Sequence, residues 1–175
     1  ITGRLEHNLR ETHNWAYGAR SEIEALKKGG AFSASADVQT DATTPALQEM
    51  LKEFQTLRDK PVPAEELEGV KRFMAGSFVL RQQTVQTIAA QVGGIELHGL
   101  SKDTLAKYRE KVMAVTAADV QAAARAHLRA GDLQVVIAGD ATKIKGELGK
   151  IAPVKVYGTD GSPKPEAGNP GEPRS

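Results

Sequence analysis

The sequence predicts an α+β domain in which an antiparallel or mixed sheet is covered on one face by helices, and three observations lead there. Two neighbouring stretches, Trp15 to Ile23 and Phe32 to Thr40, alternate their residues at the period of half-buried strands. Several later segments repeat apolar residues at helical spacing. Leu133 to Ala138 is a short continuous apolar run of the kind that forms a central strand.

Taken in order, Ile1, Leu5 and Leu9 recur every fourth residue and share one face of a helix already under way where the sequence starts. We therefore expect a fragment whose own N-terminus, with any leader, lies upstream. The polar break Thr12-His13-Asn14 separates that helix from a strand in which Trp15, Tyr17, Ala19, Ser21 and Ile23 fall on one side. Lys27-Lys28-Gly29-Gly30 then links it to Phe32, Ala34, Ala36, Val38 and Thr40, which makes the pair an antiparallel hairpin. Thr43, Thr44 and Pro45 supply a hydroxyl cap and a first-turn proline for a helix with inner face Leu47, Met50, Leu51, Phe54 and Leu57, ending near Arg58.

A second helix starts around Ala64, with Glu65, Glu66 and Glu68 near the end where the dipole favours anions and with the stripe Leu67, Val70, Met74 and Phe78. The pattern breaks over Arg81 to Thr84 and restarts as Val85, Ile88, Val92 and Ile95, ending near Gly99. Two shorter helices follow, one with Leu105, Tyr108 and Val112, the other opened by a Thr116-to-Asp119 capping box and carrying Val120, Ala124 and Leu128. After the Leu133 to Ala138 run, Gly139-Asp140 begins a short helix with Ile144 and Leu148, and Val154 to Tyr157 reads as an edge strand. From Gly158 onward four glycines and four prolines leave almost nothing apolar to bury, so residues 1–157 read as the domain and 158–175 as a tail.

A chain of 175 residues with 40% hydrophobic and 26% charged residues suits one soluble globular domain. Its net charge of +1 and the lack of a basic stripe interleaved with aromatics argue against nucleic acid as a partner. There is no cysteine, hence no disulfide and no thiol nucleophile or ligand. No apolar run is long enough for a spanning helix, and no charged-then-apolar leader is present.

The candidate chemistry lies at the first helix-to-strand junction. Arg10 leaves the last turn of the helix and Tyr17 projects from the first residues of the strand, so a guanidinium and a phenol are placed to converge as a carbonyl or oxyanion clamp. The alternative is a solvated helix-end arginine and a packing tyrosine, which pattern alone favours. His7, His13, His98 and His127 are the four histidines, and none begins a His-x-x-Glu-His motif. His7 and Glu11 are one turn apart, but His13 lies beyond the helix end, so no metal site is expected in this chain. His98 and His127 fall near helix C-termini and read as caps; Trp15 reads as core. No Gly-x-Ser-x-Gly occurs, and Gly29-Gly30 and Gly93-Gly94 lack the strand-to-helix setting of a phosphate loop.

The segment GRLEHNLRETHNWAYGA resembles the helix-to-strand segment in the second domain of insulinase/pitrilysin-type zinc peptidases, the inverzincins, whose pattern is Arg, six residues, then Tyr. Pro63-Ala64-Glu65-Glu66-Leu67, Leu97-His98-Gly99-Leu100, Val115 to Val120 and Ile137-Ala138-Gly139-Asp140 continue the likeness in order, to about Tyr157. The resemblance implies the zinc-free C-terminal domain of a metalloendopeptidase, lacking here a strand and most of a helix that the family's domain carries before Ile1. It implies that Arg10 and Tyr17 face a zinc held by a His-x-x-Glu-His-bearing partner domain, where they bind the scissile carbonyl and the oxyanion of an unfolded peptide. The chain alone is then inert. A scaffold subunit of the same fold is the alternative, as is a bacterial cytoplasmic location beside the periplasmic or extracytoplasmic one that the resemblance suggests.

Overall fold

The computed structural model describes residues 3–164. Ile1 and most of the Gly/Pro-rich tail therefore lie outside the described residues. The chain enters as α1, Arg4–Glu6, which widens without interruption into a π-helical turn over His7–Thr12. Leu5 and Leu9 point inward as their spacing predicts, and Leu9 is fully buried. Asn14, at φ 54, turns the chain in the left-handed region that short polar side chains tolerate. Strand β1 (Ala16–Leu26) follows and pairs antiparallel with β2 (Gly29–Val38), through partners from Ala16 with Val38 to Leu26 with Gly29.

Phe32, Ala34, Ala36 and Val38 are half-buried between exposed neighbours, with Phe32 edge-on to Phe54 of α2 (Thr43–Asp59), so the alternation holds through β2, whereas Thr40, expected to continue it, is exposed in a 3-10 turn. In β1 the alternation breaks. A register shift between Ala16 and Gly18 leaves Tyr17 as an extra, unpaired residue, and the inward positions become Ala16 and Ala19. Ile23, expected inside, lies 77% exposed where the hairpin reaches past the helices. The core that holds the hairpin to the helix layer is Leu9, Ala16 and Ala46, with Trp15, Ala19, Ala36, Val38 and Met50 packed around it. The two alanines at its centre let backbones approach closely.

The helices come in the predicted order: α3 (Ala64–Leu80), α4 (Val85–His98), α5 (Tyr108–Ala114), α6 (Ala117–His127) and α7 (Ala141–Leu148). Their ends follow local chemistry. The Thr84 side chain caps α4, Thr116 and Asp119 form the reciprocal capping box of α6, and Asp140 caps α7. Gly99 closes α4 at φ 63 with Leu100 N–H donating to the Ile95 carbonyl at 2.9 Å, a left-handed stop that does not use the His98 side chain. The Arg58 carbonyl at the end of α2 accepts from Gln121 Nε2 at 3.2 Å and Arg125 Nε at 2.9 Å, tying α2 to α6. Arg4 grips Glu66 through two bonds of 2.6 and 2.7 Å and so joins α1 to α3.

Two expectations are corrected. Leu133 to Ala138 is extended, yet among the described residues it pairs with no strand, so the sheet has two strands rather than a third central one. Val154 to Tyr157 forms only a single bridge, Tyr157 with Pro163. The stripes of α3 and α4 are also less covered than their periodicity implies. Met74, Val85, Ile88 and Val92 are exposed, while Ile95 is buried and Phe78 stacks on Tyr108 at 4.2 Å. Periodicity states which face is apolar; burial needs an opposing layer.

Candidate functional site

Three backbone irregularities in succession shape the junction between α1 and β1. In the π turn His13 N–H donates to the Asn8 carbonyl at 3.1 Å, one residue farther than α-helical spacing, and Trp15 N–H closes back on the Leu9 carbonyl at 2.9 Å. Asn14 then reverses the chain, and the bulge at Tyr17 breaks the strand alternation. The widened turn keeps Leu9 inside and places Arg10 on the solvent side, 56% exposed along its side chain. The bulge turns Tyr17 outward, so that it is 86% exposed instead of half-buried.

Glu6 connects these features. One of its carboxylate oxygens accepts the Ala19 amide at 2.6 Å and the other accepts Arg10 Nη1 at 2.7 Å. The amide bond, and then the arginine, hold the Glu6 carboxyl below its ordinary pKa. In return the Glu6 hydrogen bond holds the Arg10 guanidinium above its ordinary value, with a smaller contribution from Tyr17, whose phenol is within electrostatic reach. Arg10 and Tyr17 make no hydrogen bond to each other among the described residues, and both present their donors to solvent. Each side chain can offer a donor, a guanidinium N–H or a phenol O–H, to an acceptor arriving from solvent.

The structure leaves both predicted residues exposed at the same junction and adds Glu6, which sequence reasoning passed over. Its signal was present in the i,i+4 spacing of Glu6 and Arg10, an ordinary helical ion pair. Its second bond, to Ala19, had no local signal because the two residues meet only when the helix packs beside the strand. The histidines stay apart from this site. His7 Nδ1 pairs with Glu11 at 2.8 Å on an exposed face, and the His13 ring stacks on Trp15 at 4.1 Å. Among the described residues no three histidine or acidic side chains group as metal ligands.

Residues 1–74 match the sequence profile of the peptidase M16 inactive domain. That segment, less than half of the chain, is where the likeness to the M16 inactive-domain family lies. It contains α1, the hairpin, α2, most of α3, and with them Glu6, Arg10 and Tyr17. No curated protein is significantly similar to the chain. Among solved structures it resembles a peptidase M16 inactive domain from Pseudomonas fluorescens, at 23% identity and a TM-score of 0.67 over 73% of this chain and 30% of that one. It also resembles a protease from Helicobacter pylori, at 15% identity and a TM-score of 0.56 over 71% of this chain and 30% of that one. These likenesses extend the M16-type fold past residue 74. The chain spans about a third of the length of either solved structure, 30% in each case.

Proposed function

We propose that this chain is the zinc-free part of an M16-type metalloendopeptidase, and that Arg10 and Tyr17 bind the carbonyl oxygen of the peptide bond to be cut. The observation that carries this reading is the outward projection of both side chains from a junction bent three times in succession, inside the segment that matches the inactive-domain family. A bulge that turns a strand tyrosine away from the core sacrifices apolar burial, and such irregularities concentrate next to functional sites.

In this reading the zinc and the general base belong to a companion domain or subunit bearing His-x-x-Glu-His, and the substrate is an unfolded peptide held between the two halves. This chain supplies two donors. As water adds to the carbonyl carbon, negative charge gathers on the oxygen, and hydrogen bonds from the Arg10 guanidinium and the Tyr17 phenol strengthen with it. Neither residue transfers a proton to complete the step; both hold charge in place. The reading also carries the periplasmic or extracytoplasmic location as a proposal.

The test is hydrolysis of a quenched fluorescent peptide by this chain, by the zinc-bearing companion, and by the two combined with zinc. Activity is expected in the combination alone, and Tyr17→Phe should lower turnover by about 10²- to 10³-fold, the usual effect of removing one oxyanion donor. A folded, zinc-loaded complex that does not cleave, or a Tyr17→Phe variant as active as the parent, refutes the assignment and leaves a scaffold subunit.

A further inference from the structure

The hairpin presents two edges. That of β2 borders a slot of about 890 Å³ against Leu133 to Ala138. That of β1 is open over most of its length. The Ala19 amide, bonded to Glu6, points away from β2, and at the strand period of two the peptide groups of Ser21, Ile23 and Ala25 point the same way. These outward groups have no backbone partner among the described residues. The first helix and its π turn close the edge at Ala19, and from Arg20 onward every residue of β1 is exposed. Glu22 and Glu24 stand on the face to which the bulge turns Tyr17, with Arg20 at the closed end, and Ile23 lies on the other face, 77% exposed.

We propose that this edge, Ser21 to Ala25, takes an extended peptide segment as an added strand, with Lys or Arg opposite Glu22 and Glu24 and an apolar residue opposite Ile23. The inference rests on the peptidase reading above: the segment is a stretch of the substrate away from the bond to be cut. An unpaired row of peptide donors and acceptors, about 13 Å long over these residues, is a template for one more strand. The backbone ladder supplies affinity, and the side chains set directly across it supply choice, since opposite charges there attract and like charges repel. Position supplies the link to the candidate site. Glu6 ends the free edge at Ala19 with the same carboxylate that directs Arg10, and Tyr17 follows two residues farther along, so a segment paired from Ala25 to Ser21 leaves the edge beside both donors. Register disfavours a second copy as the occupant. An edge-to-edge dimer is two-fold, and the register that engages Ser21, Ile23 and Ala25 together sets Glu22 against Glu24 twice. Registers nearer Tyr17 run the copy into the first helix.

Amide exchange followed by NMR, with zinc withheld so that nothing is cleaved, tests this apart from the peptidase assay. The chain, alone and with its companion, is mixed with acetyl-Thr-Lys-Val-Lys-Thr-amide or with the same peptide carrying Glu in place of Lys. Exchange at Ser21, Ile23 and Ala25 should slow about tenfold with the lysine peptide at ten times its Kd, while Ala19, already bonded to Glu6, stays unchanged. The glutamate peptide should bind on the order of tenfold more weakly, and Glu22→Lys combined with Glu24→Lys should reverse the preference. No slowing, equal affinity for the two peptides, or slowing brought without peptide by the companion or by higher protein concentration overturns the proposal. If the slowing and the preference hold while Tyr17→Phe keeps full turnover, peptide capture at this edge stands and the carbonyl assignment alone falls.

Discussion

The side chain on which the candidate site turns is Glu6 rather than either donor. Its carboxylate accepts the Ala19 amide on one side and the Arg10 guanidinium on the other, and so sets both the entry to the strand and the direction of the arginine. Because the folded carboxyl is held below its ordinary value, the interaction is complete above the unfolded glutamate pKa of about 4.3 and is lost as pH falls through the lower folded value. The Ala19 amide resonance should therefore shift with a midpoint below about 4.3 in a pH series followed by NMR, and the step should vanish in Glu6→Gln. In the combined peptidase assay Glu6→Ala is expected to lower turnover at neutral pH with little change in KM. Glu6→Gln, whose single amide oxygen can still accept one of the two hydrogen bonds, should recover part of the loss. Unchanged turnover in Glu6→Ala would mean that Arg10 finds its direction unaided.

At the scale of elements, stability rests on how α1 and the hairpin are pinned to α2. Leu9 is the large side chain buried completely in that contact, between Ala16 and Ala46. Leu9→Ala should cost about 2–5 kcal/mol in urea unfolding, because small neighbours cannot close over the space. A value below about 1 kcal/mol would show that the hairpin is held elsewhere. Farther along, Thr116 accepts the Asp119 amide while Asp119 accepts the Thr116 amide, so both ends of the box depend on the pair. Thr116→Ala is expected to destabilise α6 by about 1 kcal/mol, read as a lower urea midpoint with unchanged slope.

For the whole molecule, the open slot and the exposed apolar faces of α3 and α4 belong together: secondary structure forms fully, while the layers that should cover it are incomplete among the described residues. The sequence by itself determined the order and type of nearly every element, because caps, prolines, the stop at Gly99 and two clean periodicities act over a few residues at a time. It put forward the candidate pair, Arg10 and Tyr17, through the family resemblance of their segment rather than through pattern alone. What it misjudged had a longer reach. Leu133 to Ala138 has the composition of a central strand, but a ladder needs a partner strand beside it, and none stands there among the described residues. Alternation in β1 put Tyr17 and Ile23 inside, yet one extra residue in the ladder turns Tyr17 outward, and Ile23, opposite Phe32, is exposed because the hairpin reaches past the helices. Only the tertiary structure could decide that Glu6 reaches Ala19, 13 residues away, and so holds Arg10 outward beside Tyr17, because the bond exists only once helix and strand are packed side by side.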